Sequence, residues 1–250
     1  MFTDTHCHFE PDYYDDYDTI IQNAMNNNVN RLIVSGCAKL GNDESIKLSS
    51  SHDNIFSTVG FHPDQASIYS DEDLYNLKNE IIKNNKIIGI GEIGLDYHYD
   101  GFDKDKQKEL FEKQLKLAKD VNKPVVIHSR DATQDTIDIL SKYNLKGVIH
   151  SFSGSYEVAQ IYIKMGFKLG INGVVTFKNS NLKDTLKKLS PDNIVLETDS
   201  PYLTPHPFRG EKNESKNIYV IAEFIADLYG ISLEKLSEIT NKNINEIFDI

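Results

Sequence analysis

With 250 residues, of which 39% are hydrophobic and 26% charged, the chain is long enough to bury one sizeable core, and its composition argues against disorder. Its formal net charge of -11 excludes the broad basic surface with which proteins grip long duplex DNA, so any contact with nucleic acid must be local. No apolar run approaches the roughly 20 residues that span a bilayer, and the N-terminus lacks the pattern of a secretory leader, so we expect a cytoplasmic protein.

Short apolar and β-branched segments recur along the chain and predict eight strands. They occupy residues 2–5, 32–35, 55–59, 87–90, 125–127, 147–149, 167–171 and 194–196. Between most of them lie segments whose apolar residues recur with helical spacing, at 17–25, 74–81, 110–118, 137–140, 158–165, 182–189 and 218–228. A final segment with helical spacing covers residues 233–248.

This alternation of strands and helices favours parallel pairing, because each helix must return the chain to the same end of the sheet. Eight such units predict an α/β fold of the (β/α)8 TIM-barrel type, with one domain over residues 1–250 and an additional C-terminal helix. An open, doubly wound sheet is the alternative, but the glycine-rich phosphate turn that usually follows its first strand is missing.

The first strand ends in a His-Cys-His sequence that can hold a metal ion. Residues two apart in an extended chain point to one face, so His6 and His8 can share an ion while Cys7 points away. Taken alone, the pair also fits two histidines in an exposed turn. Cys7 and Cys37 have no metal-type spacing, and we interpret both as small buried hydrophobic side chains rather than as a disulfide.

A glutamate follows the apolar run of the fourth strand, with glycines on both sides. The glycines let a ligand approach Glu92 closely, and its two oxygens can bridge two cations. The alternative is an ion pair at the strand end. Asp96, at the end of the same motif, fits a turn or a helix cap at least as well as a site.

Histidines also stand at the tips of the fifth and sixth strands. A single histidine at such a position is more often a hydrogen-bonded core residue, but His128 and His150 occur in consecutive units, which favours ligands. Arg130 lies two residues beyond His128 and fits either a substrate phosphate or an ion pair with Asp131.

The last strand is followed by Asp199, which can both bind a metal ion and accept a proton from a bound water. Glu197 points to the same side but lies deeper, and it fits either a support for the ligands or an acid satisfied inside the barrel. Imidazoles and carboxylates gathered from five segments predict a metal-dependent hydrolase. The predicted metal ligands are His6, His8, Glu92, His128, His150 and Asp199.

Six motifs in this order extend over almost the whole chain. They are DTHCHF at 4–9, GFHP at 60–63, GEIGLDY at 91–97, VIHSRDA at 126–132, HSFSG at 150–154 and ETDSPYLTPHPFRG at 197–210. With them the chain resembles the TatD family of metal-dependent deoxyribonucleases, within the amidohydrolase-like barrels. The resemblance implies a metal centre at the carboxyl ends of the barrel strands and 3′-to-5′ exodeoxyribonuclease activity.

The resemblance implies two divalent metal ions. Magnesium or manganese is expected to support the activity, and zinc, iron or nickel also suits a site with several histidine ligands. One ion would be held by His6, His8, Glu92 and Asp199, and the other by Glu92, His128 and His150. Asp199 and Glu92 are the expected catalytic residues. The expected substrate-binding residues are His62, Arg130, Ser151, Phe152 and Arg209. The expected partner is the 3′ end of a nucleic acid, single-stranded DNA above all, with neither a membrane nor an obligate protein partner.

Several alternatives stay open from the sequence. Because Arg130 can also bind a carboxylate, an amide or ester hydrolase, including an aminoacyl-tRNA deacylase, is a second interpretation. A non-catalytic barrel would require a missing ligand, and none is missing. Glu211 and Ser215 depart from the family pattern and bear on substrate affinity. Aromatic residues on the expected rim loops fit either base stacking or ordinary loop packing; they are Tyr97, Tyr99, Phe152, Tyr202 and Phe208.

Overall fold

Eight parallel strands pair in chain order in the computed structural model, which describes residues 1–250. The strands are β1 (Phe2–Cys7), β2 (Val29–Ser35), β3 (Ile55–Val59), β4 (Ile87–Asp96), β5 (Val125–Arg130), β6 (Gly147–Ile149), β7 (Phe167–Ile171) and β8 (Ile194–Leu196). The predicted TIM barrel is confirmed. Four strands have the predicted bounds, while β4 and β5 extend further toward the end where the predicted ligands lie.

Each strand is followed by a helix, and one more helix ends the chain. The helices are α1 (Tyr17–Asn26), α2 (Lys39–Ser51), α3 (Asp71–Lys83), α4 (Lys104–Asp120), α5 (Thr133–Leu140), α6 (Tyr156–Lys164), α7 (Leu182–Leu186), α8 (Ile218–Tyr229) and α9 (Leu233–Phe248). No helix combines the length and the apolarity that crossing a bilayer requires.

Local signals fix where several helices begin and end. The Ser70 hydroxyl accepts a hydrogen bond from the Asp73 amide at the start of α3, and the Asp73 side chain accepts one from the Ser70 amide, which forms a capping box. Asp103 accepts from two backbone amides at the start of α4. Helix α8 ends at Gly230, whose φ of 64° is a left-handed conformation that glycine adopts without strain.

Helix α2 was not predicted, and its packing explains why. The buried face contains Gly41, Asn42, Ser45 and Ser49, with Leu48 as the one large apolar side chain. Small residues let this helix lie close to the barrel, and Asn42 exchanges hydrogen bonds with the carbonyl and amide groups of Gly60. A helix that packs through small and polar groups lacks the apolar periodicity from which helices are recognised.

The closing edge of the barrel, between β8 and β1, is joined differently from the other strand pairs. We call this edge the seam; its one strand-like bridge pairs Cys7 with Ser200. Two backbone hydrogen bonds cross it, from the His8 amide to the Ser200 carbonyl at 2.8 Å and from the Asp199 amide to the His6 carbonyl at 2.9 Å. Side chains supply the remaining hydrogen bonds across the seam.

The amino-terminal mouth of the barrel is closed by α9. Its residues Ile244, Ile247 and Phe248 are buried against apolar side chains that point into the barrel near the start of the strands. Those side chains are Ile33, Ile88, Val126, Val148 and Val195. Burial of large apolar side chains at this mouth stabilises the barrel and leaves the opposite mouth open for a site.

Candidate metal centre

The six predicted metal ligands converge at the carboxyl ends of the strands. His6 Nε2 lies 3.3 Å from Glu92 Oε2 and 3.6 Å from Asp199 Oδ1. His8 Nε2 lies 3.8 Å from the same glutamate oxygen and 3.4 Å from the same aspartate oxygen. These four side chains, contributed by β1, β4 and the segment after β8, form a first ligand set.

The second ligand set lies on the other side of Glu92. Its Oε1 is 2.8 Å from His128 Nδ1 and 3.2 Å from His150 Nε2. The two oxygens of one carboxylate therefore face different histidine pairs, which is the orientation that a bridging ligand needs. His6 and His150 stack with ring centroids 4.0 Å apart, so the two sets are in direct contact.

The donor atoms of both sets fit divalent cations. The two inward nitrogens of His6 and His8 face each other at 3.1 Å, close to the spacing of two nitrogens that share an ion at about 2 Å from each. On its outer side, the buried Nδ1 of His6 has no hydrogen-bond partner. Imidazole and carboxylate together suit transition-metal ions, and the carboxylates also suit magnesium.

Most of the histidines are held by a partner on the nitrogen that faces away from the centre. His8 Nδ1 lies 2.9 Å from the Ser35 carbonyl, and His128 Nε2 lies 3.0 Å from Asp96 Oδ2. His150 Nδ1 lies 3.3 Å from Glu197 Oε1, in contact but outside hydrogen-bond geometry. With a cation bound, an acceptor at the outer nitrogen would hold the proton there, so that the inner nitrogen would present its lone pair to the cation.

Glu197, for which the sequence left two roles open, contacts the second ligand set from inside the barrel. Besides contacting His150, its Oε1 accepts a hydrogen bond from the Ser151 amide at 2.6 Å. The other oxygen, Oε2, has no partner and occupies space next to Gly170 in β7, where a Cβ atom would collide with it. Glu197 therefore fixes the ring of His150 and the turn that follows it.

Asp199 is held in place by a network below the first ligand set. Its φ of 57° is uncommon for a residue other than glycine. Buried Asp4 accepts hydrogen bonds from the Thr198 amide at 2.9 Å and the Thr198 hydroxyl at 2.5 Å, which fixes the preceding residue. Burial raises the pKa of Asp4 to about 7, although these hydrogen bonds oppose the rise.

The electrostatics keep both central carboxylates ionised. Burial alone would raise the pKa of Glu92, but the charge of His150 and the hydrogen bond from His128 hold that pKa well below its usual range. Burial likewise acts to raise the pKa of Asp199, and His150 and His8 lower it below the usual value. Ionised carboxylates are the form that binds cations.

An open cavity of about 790 Å³ lies above the two ligand sets. Three of the predicted substrate-binding residues line it, namely His62, Arg130 and Ser151. His62 lies between Asp64 and the centre, with Nδ1 at 3.1 Å from Asp64 Oδ1 and Nε2 at 3.9 Å from Glu92 Oε1. His62 therefore faces Oε1 of Glu92, the same oxygen that contacts His128 and His150.

The other two predicted substrate-binding residues do not line the cavity. Phe152 is only 5% exposed and packs against Tyr162, because the turn after His150 directs this ring into the core. Arg209 lies with its guanidinium 4.0 Å from the ring centre of Phe177, and it donates a hydrogen bond to the Thr204 carbonyl. Substrate contact by these two residues stays a prediction that the cavity lining does not support.

The cavity also contains residues that the sequence did not single out. Glu10, Tyr13 and Asp64 line it, although no motif or strand tip marked them as site residues. Cys37 was interpreted as a buried hydrophobic residue, but it lines the cavity, with Sγ 3.8 Å from His8 Nδ1. Asp96 forms the predicted turn, accepting from the His98 amide at 2.9 Å, and it also contacts His128.

Comparisons with known proteins identify the family of this chain. The sequence model of the family described as TatD related DNase matches residues 3–249. The uncharacterized metal-dependent hydrolase YabD of Bacillus subtilis (strain 168) is 40% identical over 255 residues, with both chains covered completely. YcfH of Escherichia coli (strain K12), another uncharacterized metal-dependent hydrolase, is 34% identical over 259 residues that cover 100% of this chain and 96% of YcfH.

Among solved structures, that of YjjV, a TatD homologue from Escherichia coli K12, superposes with a TM-score of 0.94 at 28% identity. The superposition covers 100% of this chain and 98% of YjjV. The chain therefore belongs to the TatD related DNase family of metal-dependent hydrolases.

Proposed function

We propose that this protein hydrolyses phosphodiester bonds at the 3′ ends of single-stranded DNA and removes nucleotides in the 3′-to-5′ direction. The observation that supports this most is the position of Glu92, whose two oxygens face separate histidine pairs below an open cavity. Two divalent cations bound there would lower the pKa of a water and neutralise charge on a phosphate.

Asp199 is the residue that we assign to proton transfer. Its Oδ1 lies within 3.6 Å of both His6 and His8, at the floor of the cavity, and its lowered pKa keeps it in the ionised form that a base needs. A base must lie within hydrogen-bond reach of the attacking water, and Oδ1 faces the space where that water would be activated.

Arg130 and His62 are assigned to the phosphate. Arg130 is exposed at the rim, and its planar guanidinium can donate two parallel hydrogen bonds to phosphate oxygens. His62 also lines the cavity. Its ring packs against the ring of His128, with the two ring centres 4.6 Å apart. Donors placed where charge develops on the phosphoryl oxygens contribute most to the rate.

The charges that line the cavity make substrate binding depend on cations. Five carboxylates line it, against the single guanidinium of Arg130; they are Glu10, Asp64, Glu92, Asp96 and Asp199. Two divalent ions bound beside these carboxylates would supply positive charge to a phosphodiester. The local supply of positive charge also agrees with the net charge of -11 of the whole chain.

The test uses protein stripped with EDTA and reloaded with each divalent ion in turn. Single strands labelled at the 3′ or the 5′ end distinguish the direction of digestion, and release of labelled mononucleotide first from the 3′ end is expected. Asp199→Asn and His128→Ala should each abolish digestion while the circular dichroism spectrum keeps its shape. Undiminished digestion by either variant would point to a contaminating nuclease.

The same preparations also test the second interpretation, that of an amide or ester hydrolase. Amide and ester substrates, including an aminoacyl ester, are offered beside the labelled strands under the same metal conditions. Faster hydrolysis of those substrates than of the phosphodiester would overturn the proposal and favour the amide or ester hydrolase.

A further inference from the structure

The cavity above the metal centre has aromatic side chains on two opposite walls. Tyr13 and Tyr202 lie on the side of the loops that follow β1 and β8, and we call them the Tyr13–Tyr202 pair. Tyr99 and Arg130 lie on the side of β4 and β5, and we call them the Tyr99–Arg130 pair. In a barrel of eight strands paired in chain order, these two sides face each other across the mouth.

Both pairs hold an exposed tyrosine in a fixed position. Tyr202 is 50% exposed, yet its hydroxyl lies 2.7 Å from that of Tyr13, and the two rings meet edge to face at 5.8 Å. Tyr99 is 57% exposed, with the Arg130 guanidinium carbon 5.2 Å from its ring centre and an Nη1 hydrogen bond of 3.3 Å to its hydroxyl. Each ring is therefore oriented while much of its surface stays open.

The other rim aromatics are placed differently. The hydroxyl of Tyr97 donates to Asp135 at 2.8 Å, and the Lys104 ammonium covers its ring at 4.3 Å. Phe152 is buried, and Phe208 does not line the cavity. Packing accounts for Tyr97 and Phe152, and Phe208 lies outside the cavity, whereas Tyr99 and Tyr202 line the cavity with much of their surface exposed.

The two pairs lie close to different parts of the metal centre. Tyr202 follows Asp199 by three residues, and its ring centre is 6.2 Å from that of His8 in the first ligand set. Arg130 follows His128, in the second ligand set, by two residues. A phosphodiester held between the two ligand sets would therefore have one exposed tyrosine on each side.

Resting on the proposed function, we propose that the bases on the two sides of the scissile phosphate stack on Tyr202 and on Tyr99, one on each wall. Every base has an aromatic face, so such contacts tolerate any sequence, and an arginine beside a ring adds to the stacking. The volume of about 790 Å³ lies within the range of roughly 300–1,000 Å³ that small-molecule pockets occupy, which suits a dinucleotide.

The test compares Tyr202→Leu and Tyr99→Leu with Tyr75→Leu. Tyr75 lies on α3, is 66% exposed and does not line the cavity, so it is the matched control. On a single-stranded substrate, each cavity variant should raise KM by about 5- to 150-fold, the loss expected from one stacked base, while kcat changes much less. Tyr75→Leu should leave KM unchanged.

Substrates that lack one base separate stacking from a structural role. An abasic residue is placed on one side of the scissile bond or on the other, and KM is measured for each variant. For each tyrosine, we compare the KM of its variant with the KM of the wild type. This ratio should fall toward one on the substrate that lacks the base stacked on that tyrosine. It should stay high on the substrate that lacks the base on the opposite side of the scissile bond. A ratio that stays the same with both abasic substrates would overturn the proposal.

Failure of stacking can be distinguished from failure of the proposed function. A dinucleotide with 2-aminopurine and a non-hydrolysable linkage reports stacking by fluorescence quenching on metal-loaded protein, without any reaction. If wild-type protein cleaves single strands but quenching is equal in wild type and both cavity variants, the stacking proposal is wrong. If wild-type protein cleaves no phosphodiester, the proposed function fails first.

Discussion

The residues behind the histidines differ between the two ligand sets. His128 and His150 are backed by carboxylates, at 3.0 Å from Asp96 and at 3.3 Å from Glu197. His8 is backed by a neutral carbonyl, and the outer nitrogen of His6 has no partner. A carboxylate acceptor makes an imidazole a stronger ligand, so the second ligand set depends on its outer partners more than the first does.

Replacing one of these carboxylates by an amide should weaken one ligand set selectively. We expect Glu197→Gln to lower the affinity of the set that contains His150 by about 10- to 100-fold, while the His6 and His8 set keeps its ion. Equilibrium dialysis followed by metal analysis should show the bound ions fall from two to one at intermediate metal concentration. Glu223→Gln, on the exposed face of α8, is the control. Two ions bound with unchanged affinity would contradict the assignment.

At this scale the sequence predicts which candidate ligands meet better than it predicts the cavity lining. Each candidate ligand lies in the second half of a strand or just after it, and parallel strands bring these ends together whatever the loops do. Glu10, Cys37 and Asp64 reach the cavity only through the path of their loops, which no local pattern encodes. Phe152 shows the converse, because its side chain turns into the core only two residues after the candidate ligand His150.

Among the elements, strands were predicted more accurately than helices because of what each one buries. A barrel strand is covered on both faces, so β6 and β8 read as short continuous apolar runs, and β3 and β7 as short runs that are mostly apolar. Helix α2 buries glycine, serine and asparagine and gave no signal. Strand β4 extends beyond its predicted end at residue 90 and includes Glu92. In this extension, glycine and acidic residues interrupt the apolar pattern that marks a strand.

Strand β7 supports the site through an absent side chain. Gly170 leaves the space that the Glu197 carboxylate fills, so an added methyl group in Gly170→Ala should displace that carboxylate. We expect the unfolding free energy to fall by about 1–3 kcal/mol. Metal binding at His150 should weaken as well. Urea denaturation and metal titration measure the two effects. Gly166→Ala, where an added Cβ meets nothing, should lower stability through its φ of 93° without changing metal affinity. Equal metal affinities for the two variants would refute this role of Gly170.

Across the whole molecule, stability and chemistry lie at opposite mouths of the barrel. Helix α9 closes the amino-terminal mouth with Phe248, which is 5% exposed and lies close to Gly89 of β4. Phe248→Ala should lower the unfolding free energy by about 3–5 kcal/mol, because it removes a large buried ring, yet leave metal affinity in the folded protein unchanged. Chemical denaturation and metal titration check the two statements. Phe102→Ala, at a 42% exposed position, is the control for stability.

Metal ions bound at the centre would also stabilise the seam. The first ligand set draws His6 and His8 from β1 and Asp199 from beyond β8, so a cation bound there links the two edges of an otherwise sparsely bonded junction. Deuterium uptake at the amides of β1 and β8 should therefore slow when divalent ions are added, while β2 and β3, which supply no ligands, should respond much less. Uniform slowing over all four strands would contradict this. If uptake slows only at the seam, the supply of metal ions controls how long the barrel stays closed. A molecule without bound metal ions then opens first between β1 and β8.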